Sequence, residues 1–189
     1  ITNAETRTLS QVESVINEGV TSFKAYLTYD GFKLNDAEFL RVLDAVREMG
    51  GIVLVHAEND AAIAYLKAGL VSAGKTEPAY HAVSRPSITE VEAVTRALAL
   101  AEVTRANLYL VHLSTAGAIQ AVRAAQRRGV HAFAETCPQY LLLDERELLR
   151  LDFEGAKFVC SPPLRNACEQ PEIWEGLADG TVSTVGTDH

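Results

Sequence analysis

Gly51-Ile52-Val53-Leu54-Val55-His56 and Asn107-Leu108-Tyr109-Leu110-Val111-His112 decide how this chain is read. Each is a short apolar run, opened by Gly or Asn and closed by a histidine. Runs of this length, rich in Val, Leu and aromatics, read as strands. Their apolarity is nearly continuous, which suits strands buried on both faces, the signature of a parallel sheet. Three more runs follow the same plan, so strands are expected at residues 20–29, 52–57, 108–113, 130–136 and 182–187.

Longer amphipathic stretches lie between them. Ser10 with Glu13, Asn35 with Glu38 and Ser87 with Glu90 have the spacing of a capping box. There a short polar side chain bonds free amides of the first turn and the Glu reaches back. They open helices expected at 10–18, 35–49 and 87–104. Ser114 is expected to cap a fourth helix to residue 128, Asp144 to open a shorter one, and 169–178 to form a weaker one. Segment 73–86 is expected as a long loop between two helices, the kind that often carries function. Helices alternating with strands predict an α/β fold built of β-α units.

Composition narrows the function. The 189 residues are 48% hydrophobic with a formal charge of −8. An acidic surface argues against nucleic acid as a partner. No apolar run nears the roughly 18 residues of a membrane span. Three cysteines, Cys137, Cys160 and Cys168, show no CxxC spacing, and no glycosylation sequon occurs. With no signal-peptide pattern after Ile1, the expected setting is a reducing cytoplasm.

The polar residues at the strand ends carry the chemistry. His56, His112, Glu135 and Asp188 each fall at the carboxyl end of an expected strand, the edge where α/β sheets gather ligands and catalytic groups. One such histidine alone is more often structural. Two in equivalent positions with an Asp at a third form a zinc-type ligand set. Lys24 lies inside the apolar run Ser22-Phe-Lys-Ala-Tyr26. A buried lysine must be paired, lose its charge, snorkel to the edge or be modified, as a Schiff base or as a carbamate formed with CO2. Tyr29 offers a phenol to a developing oxyanion, or is ordinary packing. The stretch Cys160-Ser-Pro-Pro-Leu-Arg165 is a proline-stiffened loop suited to presenting main-chain groups, or a plain turn. His81, His131, Tyr140 and Trp174 read as structural.

Several motifs occur in one order: Gly19-Val-Thr-Ser-Phe-Lys24, Tyr29, Val55-His-Ala-Glu-Asn59, Tyr80-His-Ala-Val-Ser-Arg-Pro86, Val111-His-Leu-Ser114, Glu135-Thr-Cys-Pro-Gln-Tyr140, Ser161-Pro-Pro-Leu-Arg165 and Gly186-Thr-Asp-His189. Together they resemble the dihydropyrimidinase and D-hydantoinase family of cyclic amidohydrolases, within the amidohydrolase superfamily, over essentially the whole chain. The resemblance implies a (β/α)8 TIM-like barrel of the metal-dependent hydrolase type, of which this chain covers about five β-α units. It implies two divalent metal ions, with zinc the expected metal, bridged by a carboxylated Lys24. His56 and His112 match ligands of one ion, and Asp188 a ligand of the other and the general base and acid. Tyr29 matches the residue that stabilises the tetrahedral intermediate and contacts substrate, and Ser161 a main-chain contact to the ring. The implied reaction opens a dihydropyrimidine or 5-substituted hydantoin to an N-carbamoyl amino acid through a metal-bridging hydroxide. A homotetramer is the implied assembly.

Tyr29, Gln139 and Ser161 favour a hydantoinase over an allantoinase-like or dihydroorotase-like neighbour. A non-catalytic dihydropyrimidinase-related scaffold would lack the metal set that Lys24, His56, His112 and Asp188 supply. The family's His-x-His ligand pair has no counterpart in these residues. The chain is therefore expected to be the central and C-terminal part of a barrel domain. The first barrel strands and a small β-sandwich domain are expected outside it, and this piece alone is expected to be inactive.

Overall fold

The structure is a computed structural model and describes residues 1–188. His189, the last residue of the motif quoted above, lies outside them. Five strands, β1 (Ser22–Tyr26), β2 (Ile52–His56), β3 (Asn107–Leu110), β4 (Ala132–Thr136) and β5 (Thr184–Val185), form one sheet in sequential order. Every neighbouring pair is parallel. Sequential parallel strands need a crossover each, and helices supply them. Thr6–Leu9 (α1) and Val12–Asn17 (α2) precede the sheet. Asp36–Glu48 (α3) joins β1 to β2. Asp60–Ser72 (α4), Ala79–Val83 (α5) and Ser87–Thr104 (α6) join β2 to β3. Ala116–Arg127 (α7) joins β3 to β4. Pro138–Leu142 (α8), three short 3-10 turns and Gln170–Asp179 (α9) lead to β5.

The strands alternate. Ala25, Val53, Val55, Leu108, Leu110 and Ala134 are fully buried and face Phe39, Val42 and Leu43 of α3, Val94 of α6, and Ile119 and Val122 of α7 in one core. Each such Val, Leu, Ile or Phe side chain contributes about 1.5–3 kcal/mol by leaving water. The intervening residues are more open: Lys24, Leu54 and Tyr109 are partly buried, and Phe133 is 43% exposed. Burial on both faces was the expectation, and among the described residues only the helix-covered face meets it, since no second layer packs on the other. That open face carries Lys24 level with Leu54 and Tyr109, and Tyr26 level with His56. Gly51 permits the close return of α3 to the sheet, since a Cβ there would lie 2.8 Å from Val46 Cγ1 and 3.0 Å from the Thr21 carbonyl oxygen.

All five strands fall inside their expected runs, apart from Asn107, and are shorter. The caps differ more. Asn35 and Glu38 close the expected capping box on α3. Ser10 instead ends α1, so 10–18 is not one helix. Ser87 bonds Glu169 rather than capping α6, and Glu90 turns inward to Arg165. Thr115, not Ser114, caps α7. Ser10 bonds the Arg7 carbonyl in its own turn, whereas Ser87, Glu90 and Ser114 have found tertiary partners. Segment 73–86 is not all loop, because it contains α5.

Candidate active site

The carboxyl ends of β1, β2 and β3 converge on a cluster of rings. His56 closes β2 and is 3% exposed; His112 follows β3 and is as deeply buried. Their ring centroids are 4.5 Å apart, and the Tyr29 ring lies 4.9 Å from that of His56. Tyr29 and His112 both have positive φ, 78° and 45°, which turns each side chain off the line of its strand. The loop bearing Tyr29 is pinned from α4: Asp60 accepts bonds from the Thr28 hydroxyl at 3.0 Å and the Tyr29 amide at 3.3 Å, and pairs with Lys33 at 2.5 Å.

Electrostatics separate the roles these groups can take. Burial, reinforced by the neighbouring His56 ring and Lys24, pushes His112 well below the ordinary histidine value. The ring is therefore neutral, the form that ligates a metal. Its Nδ1 is buried and has no hydrogen-bond partner among the described residues. Burial also lowers Lys24, although Asp188, Glu135 and Cys137 pull the other way. That lowering raises the share of deprotonated amine, the nucleophilic form that adds CO2. Burial, reinforced by Glu58, raises Tyr29, while Arg85 and the Ser161 side chain oppose it. Tyr29 thus keeps its proton and remains a donor. Asp188 is exposed, with φ 52°, and its charge reaches Lys24 and Tyr29.

Among the described residues, no three His, Cys, Asp or Glu side chains gather as a metal-holding group. A cation here would therefore rely on Lys24 in addition to the two histidines. The donor set fits that use: an orphaned buried imidazole nitrogen, a second imidazole beside it, and a half-buried lysine that carboxylation would convert to an anion.

Ser161 lies in the loop between the second and third 3-10 turns, with a cis peptide to Pro162. The Tyr140 hydroxyl donates to the Pro162 carbonyl at 2.7 Å. Arg165 is buried and bonds Ser114 Oγ at 2.9 Å and Glu90 Oε2 at 3.1 Å, so this loop is anchored to α6 and to the segment after His112. His131, expected to be structural, sits at the opposite end of the sheet beside Asn107.

Three residues of this site were not singled out for a role from sequence. His81, read as structural, reaches from α5 to the Cys160 carbonyl oxygen and the Ser161 hydroxyl. Glu58 is completely buried and accepts from His56 Nε2 at 2.7 Å and Arg85 Nη1 at 2.6 Å. Burial alone would raise its carboxyl; the bonds to His56 and Arg85 outweigh that and hold it lowered. The available signal was position, since Glu58 lies two residues past His56 and Arg85 lies in the motif with His81.

The chain is similar to known proteins over nearly its whole length. D-hydantoinase of Rhizobium radiobacter is 46% identical over 189 residues, covering 96% of this chain and 41% of its own length. The solved D-hydantoinase of Bacillus sp. AR9 superposes with a TM-score of 0.98 at 42% identity, covering all of this chain and 42% of that one. Dihydropyrimidinase of Brevibacillus agri gives the same score and identity, over 41% of its chain. Over its whole length this sequence is similar to the dihydropyrimidinase and D-hydantoinase family. No family model matches it. Its likeness to these hydantoinases is therefore whole-chain on one side and partial on the other: it spans about two fifths of the relatives it matches. Its five parallel strands, the α/β sheet expected from the pattern, superpose on part of the D-hydantoinase structure, in line with the barrel that the resemblance implied.

Proposed function

We propose that the protein carrying this sequence is a metal-dependent cyclic amidohydrolase that opens dihydropyrimidines or 5-substituted hydantoins to N-carbamoyl amino acids. The observation that carries this is the neutral His112, its Nδ1 unpartnered, packed against His56 at the edge that also holds Lys24 and Tyr29. Carboxylated Lys24, His56, His112 and Asp188 would hold two divalent ions, with zinc favoured by the imidazole donors. Such ions supply a nucleophile at neutral pH and polarise the carbonyl.

The chain's own groups do the rest. Asp188 takes the proton of the attacking water and delivers it to the leaving amide nitrogen. Tyr29, kept protonated, donates to the oxygen on which negative charge develops. The main chain at Ser161 positions the ring. By family likeness the assembly is a homotetramer, the remaining barrel strands and a β-sandwich domain complete the protein, and the compartment is the cytoplasm. Among the described residues no helix is long and apolar enough to cross a membrane.

The deciding experiment purifies the protein with zinc and bicarbonate, counts metal per chain, and assays ring opening of dihydrouracil and a 5-substituted hydantoin. Metal near two per chain with ring opening supports the proposal. Metal-free protein without activity rejects it.

A further inference from the structure

We propose that Glu58 and Arg85 are a positioning pair: they set the direction of the His56 ring and tie it to the Tyr29 phenol. This deepens the metal-hydrolase reading and rests on it.

Four side chains close a circuit. His56 Nε2 meets Glu58 Oε2 at 2.7 Å. Arg85 Nη1 meets the same oxygen at 2.6 Å. The Arg85 guanidinium lies 5.7 Å from the centroid of the Tyr29 ring, and that ring lies 4.9 Å from His56. The members come from the end of β2, the loop after β1 and the segment after α5. Each touches two others, so none turns without disturbing its neighbours.

The chemistry assigns a direction. A carboxylate accepts, so the hydrogen it shares with His56 resides on Nε2. That leaves the lone pair on Nδ1, and Nδ1 is the nitrogen His56 presents to a cation. A carboxylate behind a ligating histidine fixes its tautomer and raises its donor strength. Glu58 in turn needs a countercharge, because it is fully buried. Arg85 supplies it with a flat guanidinium that also lies over an aromatic face, a geometry lysine does not match. Arg85 itself is held through its backbone, since its carbonyl accepts from Arg165, which is anchored on Ser114 and Glu90.

The test is zinc affinity, by chelator competition, on the protein carrying this sequence, with folding followed by circular dichroism. The unsubstituted protein is measured first: failure to take up zinc defeats the metal reading, and this inference with it. Given zinc binding, Glu58→Gln is expected to weaken it roughly 10- to 100-fold while the protein stays folded. Arg85→Lys keeps a cation beside Glu58 and loses the ring contact, so zinc affinity is expected to hold while kcat falls. A folded Glu58→Gln variant with unchanged zinc affinity overturns the assignment. If Glu58→Gln does not fold, Arg85→Lys decides: kcat and KM equal to the parent's overturn the tie to Tyr29. A purely structural pair would lower the melting temperature and leave the zinc affinity of folded protein as it was.

Discussion

His81 holds Ser161 in place: its Nε2 lies 2.8 Å from the Cys160 carbonyl oxygen and 3.2 Å from the Ser161 hydroxyl. Burial lowers His81, so the ring is neutral and Nε2–H donates to the carbonyl. The peptide proposed to bind the substrate ring is thus steadied from α5, across the mouth of the site. His81→Phe removes that bond and leaves an apolar ring of similar size. We expect KM for a hydantoin to rise roughly 5- to 10-fold, the worth of about one hydrogen bond, with kcat nearly unchanged and zinc content intact. Steady-state kinetics with metal analysis checks this, and His81→Asn should recover part of the loss.

Lys24 is the residue whose modification is easiest to see. Incubation with 13C-bicarbonate and zinc is expected to give a carbamate carbon signal that Lys24→Ala lacks. The same substitution should lose the bridging ligand and ring-opening activity while leaving the oligomeric state unchanged. A labelled carbamate persisting in Lys24→Ala would place the modification elsewhere.

The buried pair Glu90–Arg165 offers a stability prediction. Both side chains are under a tenth exposed, and Ser114 completes the set. Arg165→Met strands a buried carboxylate. Its cost is expected to be about 3–5 kcal/mol in urea unfolding. Adding Glu90→Leu should recover part of that, since two apolar groups need no partner.

Cys137 gives a pH prediction. It is fully buried, and desolvation, then the charges of Asp188 and Glu135, push its thiol up to about 12 from 9.0. Between those values the folded state holds a proton that the unfolded state has released, so stability falls as pH rises above about 9. Cys137→Ala should flatten that alkaline decline. With iodoacetamide near pH 8, the exposed Cys168 is expected to react first and Cys137 only after unfolding.

Much of the fold was legible because strand signals are local. The apolar runs around Ile52 and Leu108 mark strands, though only one of their faces is fully covered, and Asn35 with Glu38 forms its cap without help from elsewhere. Ser87, Glu90 and Ser114 misled for the opposite reason: their polar groups answer to Glu169 and Arg165, far along the chain. In the site, His56, His112 and Lys24 stood out because an ionisable group ending or interrupting an apolar strand is conspicuous. His81 did not, since only the docking of α5 brings it beside Ser161. Glu58 was hidden by its resemblance to an ordinary acid ahead of a helix.

Tyr29, His112 and Asp188 share left-handed backbone, at φ 78°, 45° and 52°. Such a conformation costs an ordinary L-residue on the order of 1–3 kcal/mol, whereas glycine adopts it freely and asparagine with little penalty. Selection for thermal resistance alone would therefore drift toward Gly or Asn at positions 29 and 112, and toward a sturdier protein without the proposed ring-opening activity. Stabilising this chain without disturbing the proposed site calls for holding those positions constant and seeking the gain in helix caps and surface charge.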